Sequence, residues 1–198
     1  MPSQRRPDSR VLKTKAAIRN AYLRLLEQKD ADLITVTDVA LTADVDRKTI
    51  YNYYIGSGAI LDELENELVS SVSASIREND LIRFIRDPFG FLDAITRAFD
   101  SQPDLSYPLI RKSGATMLFA KLADRFSAQL APVLKGQLQP QKQPYAKLYA
   151  DFLSNGIVSV YRDWIISGMQ QPLEEISRQL CILTGELFTT SMERKVLL

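Results

Sequence analysis

Histidine is absent from the 198 residues. Its absence removes the commonest general base and the commonest transition-metal ligand together, so Ser-His triads and zinc-hydrolase sites are excluded. Cysteine is nearly absent too. Cys181 stands alone, so no intrachain disulfide can form, and a reducing cytoplasm is the expected setting. No run of about 18 apolar residues occurs, so no membrane-spanning helix and no membrane partner are expected. The stretch Met1–Arg10 carries arginines with no apolar segment behind them and does not read as a secretory signal. Strand-like alternation and internal repeats are missing. There is no nucleophile–base pair, no metal cluster and no glycine-rich phosphate loop, so the chain is expected to be no enzyme and to need no metal or cofactor.

What remains is ordinary for a globular protein: 45% hydrophobic and 25% charged, with length enough for a core that needs no staples. The net charge of +1 hides an asymmetry. Residues 1–56 hold 10 Lys and Arg against 7 Asp and Glu, whereas residues 57–198 hold 15 against 17. Six of the basic residues (Arg5, Arg6, Arg10, Lys13, Lys15, Arg19) fall within the first 19, against the single acid Asp8. Residues 1–10 therefore read as a flexible basic arm, suited to phosphates or simply solvated.

Apolar spacing predicts helices throughout. Ile18, Tyr22, Leu25 and Leu26 form one stripe on a helix over about 11–28. Thr35 is a good N-cap for a short second helix, with Asp38 three residues on where a capping-box acid sits and Val39 and Ala40 on the buried side. Ala43-Asp44-Val45 reads as a tight turn, and Asp46 as the cap of a third helix running to Tyr53 or Tyr54. Ile55-Gly56-Ser57-Gly58 breaks the chain. A fourth helix with Ile60, Leu64, Leu68 and Val72 extends to about Arg77. Further helices are expected from Pro88, over 105–112 and over 115–136, the last with Met117, Leu118, Leu122, Phe126 and Leu130 as its stripe. The Gln/Pro-rich segment 136–144 reads as the clearest loop. Helices over 144–169 and 172–193 close the chain, each opened by a proline tolerated in a first turn.

The stretch 35–54 has the spacing of a helix-turn-helix. Such a motif needs a small residue where two helices touch, an irregular turn and apolar side chains closing the hinge. Ala40 is the small residue, Val45 closes the turn, and Ile50 with Tyr53 supplies the apolar side of the second helix. Arg47, Lys48, Thr49 and Asn52 are left facing outward, side chains that bond phosphates and base edges. Tyr51 and Tyr54 are expected to offer hydroxyls to phosphates. The DNA-contact candidates are thus Thr35, Arg47, Lys48, Thr49, Tyr51, Asn52 and Tyr54, with Arg10 and Lys13 from the arm side.

The run Thr35-Val36-Thr37-Asp38-Val39-Ala40 followed by Asp44-Val45-Asp46-Arg47-Lys48-Thr49-Ile50-Tyr51-Asn52-Tyr53-Tyr54 resembles the signature of the TetR family of bacterial transcriptional regulators. Thr14-Lys15 and Ile18 with Ala21 are similar to the family's first helix, and Ile60-Leu61 to the start of its fourth. The likeness covers about 13–65. Departures exist: Asp44 stands where the family usually has glycine, Tyr53 and Tyr54 where it often has His and Phe, and Ser57 where a lysine commonly touches the DNA backbone.

The resemblance implies an all-α protein of about nine helices: a three-helix DNA-binding domain over 11–56, and a helical bundle over 57–198 that binds ligand and dimerises through its last two helices. Gly156, followed by Trp164 and Gly168, is similar to a C-terminal pattern of such proteins. A glycine inside a helix costs about 1 kcal/mol against alanine, and close approach of a partner helix would offset it. Gly156, Val160, Ile176, Leu180, Leu183 and Leu187 are the interface candidates. Phe84, Phe99, Tyr107, Phe119, Phe126, Tyr149 and Trp164 are candidates for an effector pocket, although ordinary bundle core is the commoner use of aromatic residues at helical spacing. The expected partners are a double-stranded operator, a second copy of the chain and a small-molecule effector. The expected function is repression by a dimer on a near-palindromic operator. The alternatives are an activator or co-regulator that recruits a protein, and a helical adaptor without DNA binding.

Overall fold

The computed structural model describes residues 9–76, 88–112 and 116–189. Nine α-helices lie among them: α1 (Ser9–Leu26), α2 (Val36–Ala43), α3 (Arg47–Tyr51), α4 (Ser57–Ser75), α5 (Pro88–Asp100), α6 (Pro103–Lys112), α7 (Thr116–Gln137), α8 (Ala146–Ile166) and α9 (Leu173–Thr189). Short 3₁₀ turns occupy Ala31–Leu33 and Pro140–Tyr145. No β-strand occurs among the described residues.

The described residues divide into two compact units, one of 9–67 with 104–112 and the other of 68–76, 88–103 and 116–189. The sequence expectation ended the first unit at residue 56. The first eleven residues of α4 fall into it as well, and contacts to α1 show why. Lys15 Nζ donates to Glu63 Oε2 at 2.8 Å, and Arg19 pairs with Glu67. Ile60 and Leu64 are fully buried.

In the first unit the predicted stripe of α1 is the core: Ile18, Ala21, Tyr22 and Leu26 are fully buried and Leu25 nearly so. Helix α1 packs on α2, whose inner side is Val39 and Ala40. Burial first, and the Glu65 carboxylate second, push the Tyr22 phenol up to about 12. In the second unit α7 packs along α8, and α9 against α5. Leu118, Leu122, Phe126, Leu130 and Leu134 of α7 face inward, as do Leu153, Ile157, Tyr161 and Trp164 of α8. Met117, expected in the α7 stripe, is 63% exposed because it stands on the outer side of the first turn. The 136–144 segment is no plain loop. Helix α7 runs on to Gln137, and Pro140–Tyr145 coil as a 3₁₀ turn, in which prolines cost little because the missing N–H bonds are few.

The start of α2 is fixed by a complete capping box. The Thr35 hydroxyl accepts from the Asp38 N–H at 3.2 Å and donates to Asp38 Oδ2 at 2.7 Å. The Thr35 N–H donates to the same oxygen at 2.8 Å, and Lys29 Nζ donates to it at 2.6 Å. The bond from Lys29 is the largest of the causes that hold the Asp38 carboxyl at about 2, followed by the bonds from Thr35. Thr35→Ala is expected to cost about 1 kcal/mol of stability. The folded carboxyl titrates below its ordinary value of 3.8, so its contribution is complete above that value and is lost as pH falls towards 2. Urea midpoints measured between pH 5 and 2.5 should therefore drop less in Asp38→Asn than in the wild type; an identical drop would exclude Asp38 as a source of acid sensitivity.

Candidate nucleic-acid interface

The candidate nucleic-acid surface is built on the turn between α2 and α3. Asp44 follows α2 with φ 54° and ψ 50°, in the left-handed region. That region favours glycine, and aspartate is one of the few other residues that enter it. Two backbone bonds close the turn: the Val45 N–H to the Ala40 carbonyl at 3.0 Å and the Asp44 N–H to the Leu41 carbonyl at 3.4 Å. This paired pattern satisfies carbonyls at the end of α2 and redirects the chain at once. Aspartate in place of the usual glycine thus leaves the turn intact.

Helix α3 is a single turn and a half. Ile50 is fully buried and anchors it. The carbonyl of Asp46 accepts from the N–H groups of Thr49 and Ile50, so Asp46 occupies the N-cap position. Its carboxylate, expected to cap, makes no capping bond. The helix ends at Tyr51 rather than at Tyr53 or Tyr54, because the N–H groups of Tyr53 and Tyr54 both return to the Ile50 carbonyl and tighten the chain.

Arg47, Lys48, Tyr51 and Asn52 are exposed and Thr49 is half-buried. No hydrogen bond or ion pair described in the structure engages the side chains of Arg47, Lys48 or Asn52. Arg10 and Lys13 are exposed on the first turns of α1. Two candidates stand elsewhere. The Thr35 hydroxyl is committed to the capping box on both its donor and acceptor sides. Tyr54 is buried, 4% exposed, with Lys15 Nζ 5.2 Å from its ring centre. Burial first, then the Glu63 carboxylate, raises its phenol above the usual range. Its hydroxyl is enclosed and cannot meet a phosphate, because the tightened end of α3 swings residue 54 into the core between α1 and α4.

An open hollow of about 480 Å³ adjoins Arg47. Ala40, Leu41 and Val45 give it an apolar part, and Thr37, Asp44, Asp46 and Arg47 a polar one. Leu41 is 78% exposed. Sequence spacing did not single out Thr37 or Leu41, although both fall one or two turns along the outer side of α2.

In the second unit the candidate pocket residues are mostly packed ring on ring. Phe99 stacks on Tyr161 at 6.2 Å and meets Phe119 edge-on at 6.5 Å; Tyr161 lies 5.5 Å from Trp164, and Phe91 meets Phe126 edge-on at 5.3 Å. Tyr149 is half-buried. Tyr107 belongs to the other unit and is exposed, with the Arg111 guanidinium 5.6 Å from its ring centre. Phe84 lies outside the described residues. A second hollow, of about 470 Å³, is lined by Ala131, Lys135, Pro140, Pro144 and Lys147 among others, and by none of the seven. The interface candidates also separate. Gly156, Val160 and Leu183 are exposed, Ile176 is half-buried, and Leu180 is buried at 6% because α9 turns it inward as α9 packs on α5. The side chain of Leu187 lies outside the described set. Among the described residues no group of three or more His, Cys, Asp or Glu is arranged to hold a metal, and no helix is long and apolar enough to cross a membrane.

Residues 86–185 match the family model TetR_C_8, described as a transcriptional regulator C-terminal region. The chain belongs to the TetR family of transcriptional regulators. Solved structures agree on the fold. A TetR transcriptional regulator from Streptococcus agalactiae 2603V superposes with a TM-score of 0.66 at 22% identity, over 88% of this chain and 95% of that one. The dihydroxyacetone kinase operon activator DhaS superposes with a TM-score of 0.55 at 17% identity, over 91% and 98%. No curated protein sequence matches the chain. The family model covers the helical C-terminal part, and the helix-turn-helix geometry described above supplies the other half of the TetR plan.

Two substitutions separate the surface from the core of this TetR head. Lys48→Ala is expected to weaken duplex binding and lower the slope of log K against log salt by about 0.9, as one lost phosphate contact does. Tyr54→Phe is expected to leave that slope unchanged, whereas Tyr54→Ala should cost about 3–5 kcal/mol of stability. A slope altered by Tyr54→Phe would place its hydroxyl on the DNA after all.

Proposed function

We propose that the chain acts in the cytoplasm as a homodimeric repressor, its two α3 helices lying in successive major grooves of a near-palindromic operator. The observation that carries this reading is the division of α3. Ile50 is wholly buried, while Arg47, Lys48, Tyr51 and Asn52 are exposed and Arg47, Lys48 and Asn52 are uncommitted. An anchored short helix with a cationic, amide-bearing outer side suits phosphate contact and direct reading of base edges. Arg47 suits guanine and Asn52 adenine. Thr49, Arg10 and Lys13 contribute phosphate contacts.

A second copy is proposed to cover the outer side of α8. Leu148, Phe152 and Val160 are exposed there at intervals that bracket Gly156, and Leu183 and Ile182 are exposed on α9. A Cβ placed on Gly156 would meet nothing within 4 Å in its own chain. The protomer alone therefore gives no packing reason for glycine inside α8, and a closely crossing helix does. An effector would act by parting the contacting rings of Phe99, Tyr161 and Trp164, biasing the dimer between two separations of its reading heads.

One protein of similar fold, DhaS, is described as an operon activator. Deleting the gene decides the sign of control: transcripts of the regulated genes rise for a repressor and fall for an activator. Selection of bound duplexes from a random pool tests DNA reading itself. Enrichment of a motif with dyad symmetry, its half-sites about one helical turn apart, is expected. A pool that stays random would favour the helical adaptor. Gly156→Leu is expected to shift the sedimenting mass from dimer to monomer while far-ultraviolet circular dichroism stays helical; an unaltered dimer would remove Gly156 from the interface.

A further inference from the structure

We propose that Asp46 is a specificity residue: its carboxylate accepts a hydrogen bond from the exocyclic amino group of a cytosine in the operator's major groove. The inference rests on the DNA-reading surface proposed above and assigns it a residue that a phosphate-binding role cannot explain. Two observations and one electrostatic argument carry it. First, aspartate at an N-cap normally spends its carboxylate on the helix's own N–H groups, yet Asp46 makes no such bond and its side chain is exposed. No described hydrogen bond or ion pair uses that carboxylate. Second, it lines the same hollow as Arg47, beside Ala40, Leu41 and Val45. Asp46 therefore adjoins the first exposed cation of the proposed reading surface, with its side chain open to solvent and to an incoming base. Third, a negative charge at the head of a surface that meets phosphates opposes binding everywhere except where a donor faces it.

Base chemistry then names the donor. In the major groove the exocyclic amino groups of cytosine and adenine are the donors, whereas guanine and thymine present only carbonyl or ring-nitrogen acceptors beside the thymine methyl. Carboxylates pair with the cytosine amino group, while adenine, with an acceptor beside its amino group, suits an amide. A guanine or thymine in place of that cytosine would set acceptor against carboxylate. Asp46 thus acts mainly by rejection: it weakens all duplexes a little and the wrong ones most.

The test measures binding of duplexes that carry every single base-pair change in the selected operator, for the wild type, Asp46→Ala and Asp46→Asn. The wild type is expected to lose about tenfold or more when one symmetry-related cytosine becomes thymine. In Asp46→Ala that penalty should fall to within about twofold, non-specific binding should tighten, and penalties at other positions should persist. Asp46→Asn, which keeps the side chain's size and gains a donor, should likewise tolerate thymine. Because Asp46 makes no capping bond, both variants are expected to fold, with urea midpoints close to wild type; Asp46→Asn alone decides the matter if Asp46→Ala does not fold. Retention of every wild-type penalty in the folded variants overturns the proposal and leaves DNA reading standing. A wild type that binds no duplex overturns both.

Discussion

The left-handed backbone at Asp44 is the constraint from which the exposed outer side of α3 follows. It lets the Val45 N–H reach back to the Ala40 carbonyl, and so ends α2 and starts α3 within three residues. Ile50 can then drop into the core beside Val39 and Ala40. Were the turn looser, the five residues of α3 would have too few internal bonds to hold a helix in water, since helices shorter than about 12 residues are marginal without tertiary anchoring. The turn and the single buried isoleucine therefore supply what length cannot. The outward direction of Arg47 and Lys48 is a consequence of that anchoring rather than of any contact they make.

Behind α3 stands a second, electrostatic brace. Lys15 and Arg19 on α1 face Glu63 and Glu67 on α4, and Tyr54 is buried beneath them with Lys15 over its ring. These pairs are a quarter to two-fifths exposed, so each is worth little singly. Their effect is positional: they fix where α4 begins relative to α1 and oblige the chain after Tyr51 to turn inward. Two of the six basic residues near the N-terminus are consumed in this way, whereas Lys13 on the same helix is exposed.

Much of this was legible in the residues. The stripe Ile18, Tyr22, Leu25, Leu26, the box of Thr35 with Asp38 and the tolerance of Asp44 for its backbone follow from periodicity and capping chemistry, and the structure shows each. The errors cluster where helical spacing was extended past a helix end. Tyr54 looked exposed on a helix reaching 54; on one ending at Tyr51 it is core. Leu180 shared a stripe with Leu183, but packing of α9 on α5 splits that stripe between inside and outside. Asp46 looked like a cap because aspartate usually is one, and spacing says nothing about which way a free carboxylate points. The aromatic residues of the second unit could not be sorted into pocket and core by spacing, because both uses demand the same positions.

The central claim is that the outer side of α3 enters the major groove, and guanine N7 lies there. Methylation interference on a duplex bound by the wild-type protein is therefore the most direct measurement. Modified guanines should block binding in two patches about one helical turn apart, with Lys48→Ala weakening the protein but leaving the patches in place. Binding indifferent to N7 methylation, or blocked only by modification of the minor groove, would contradict the account.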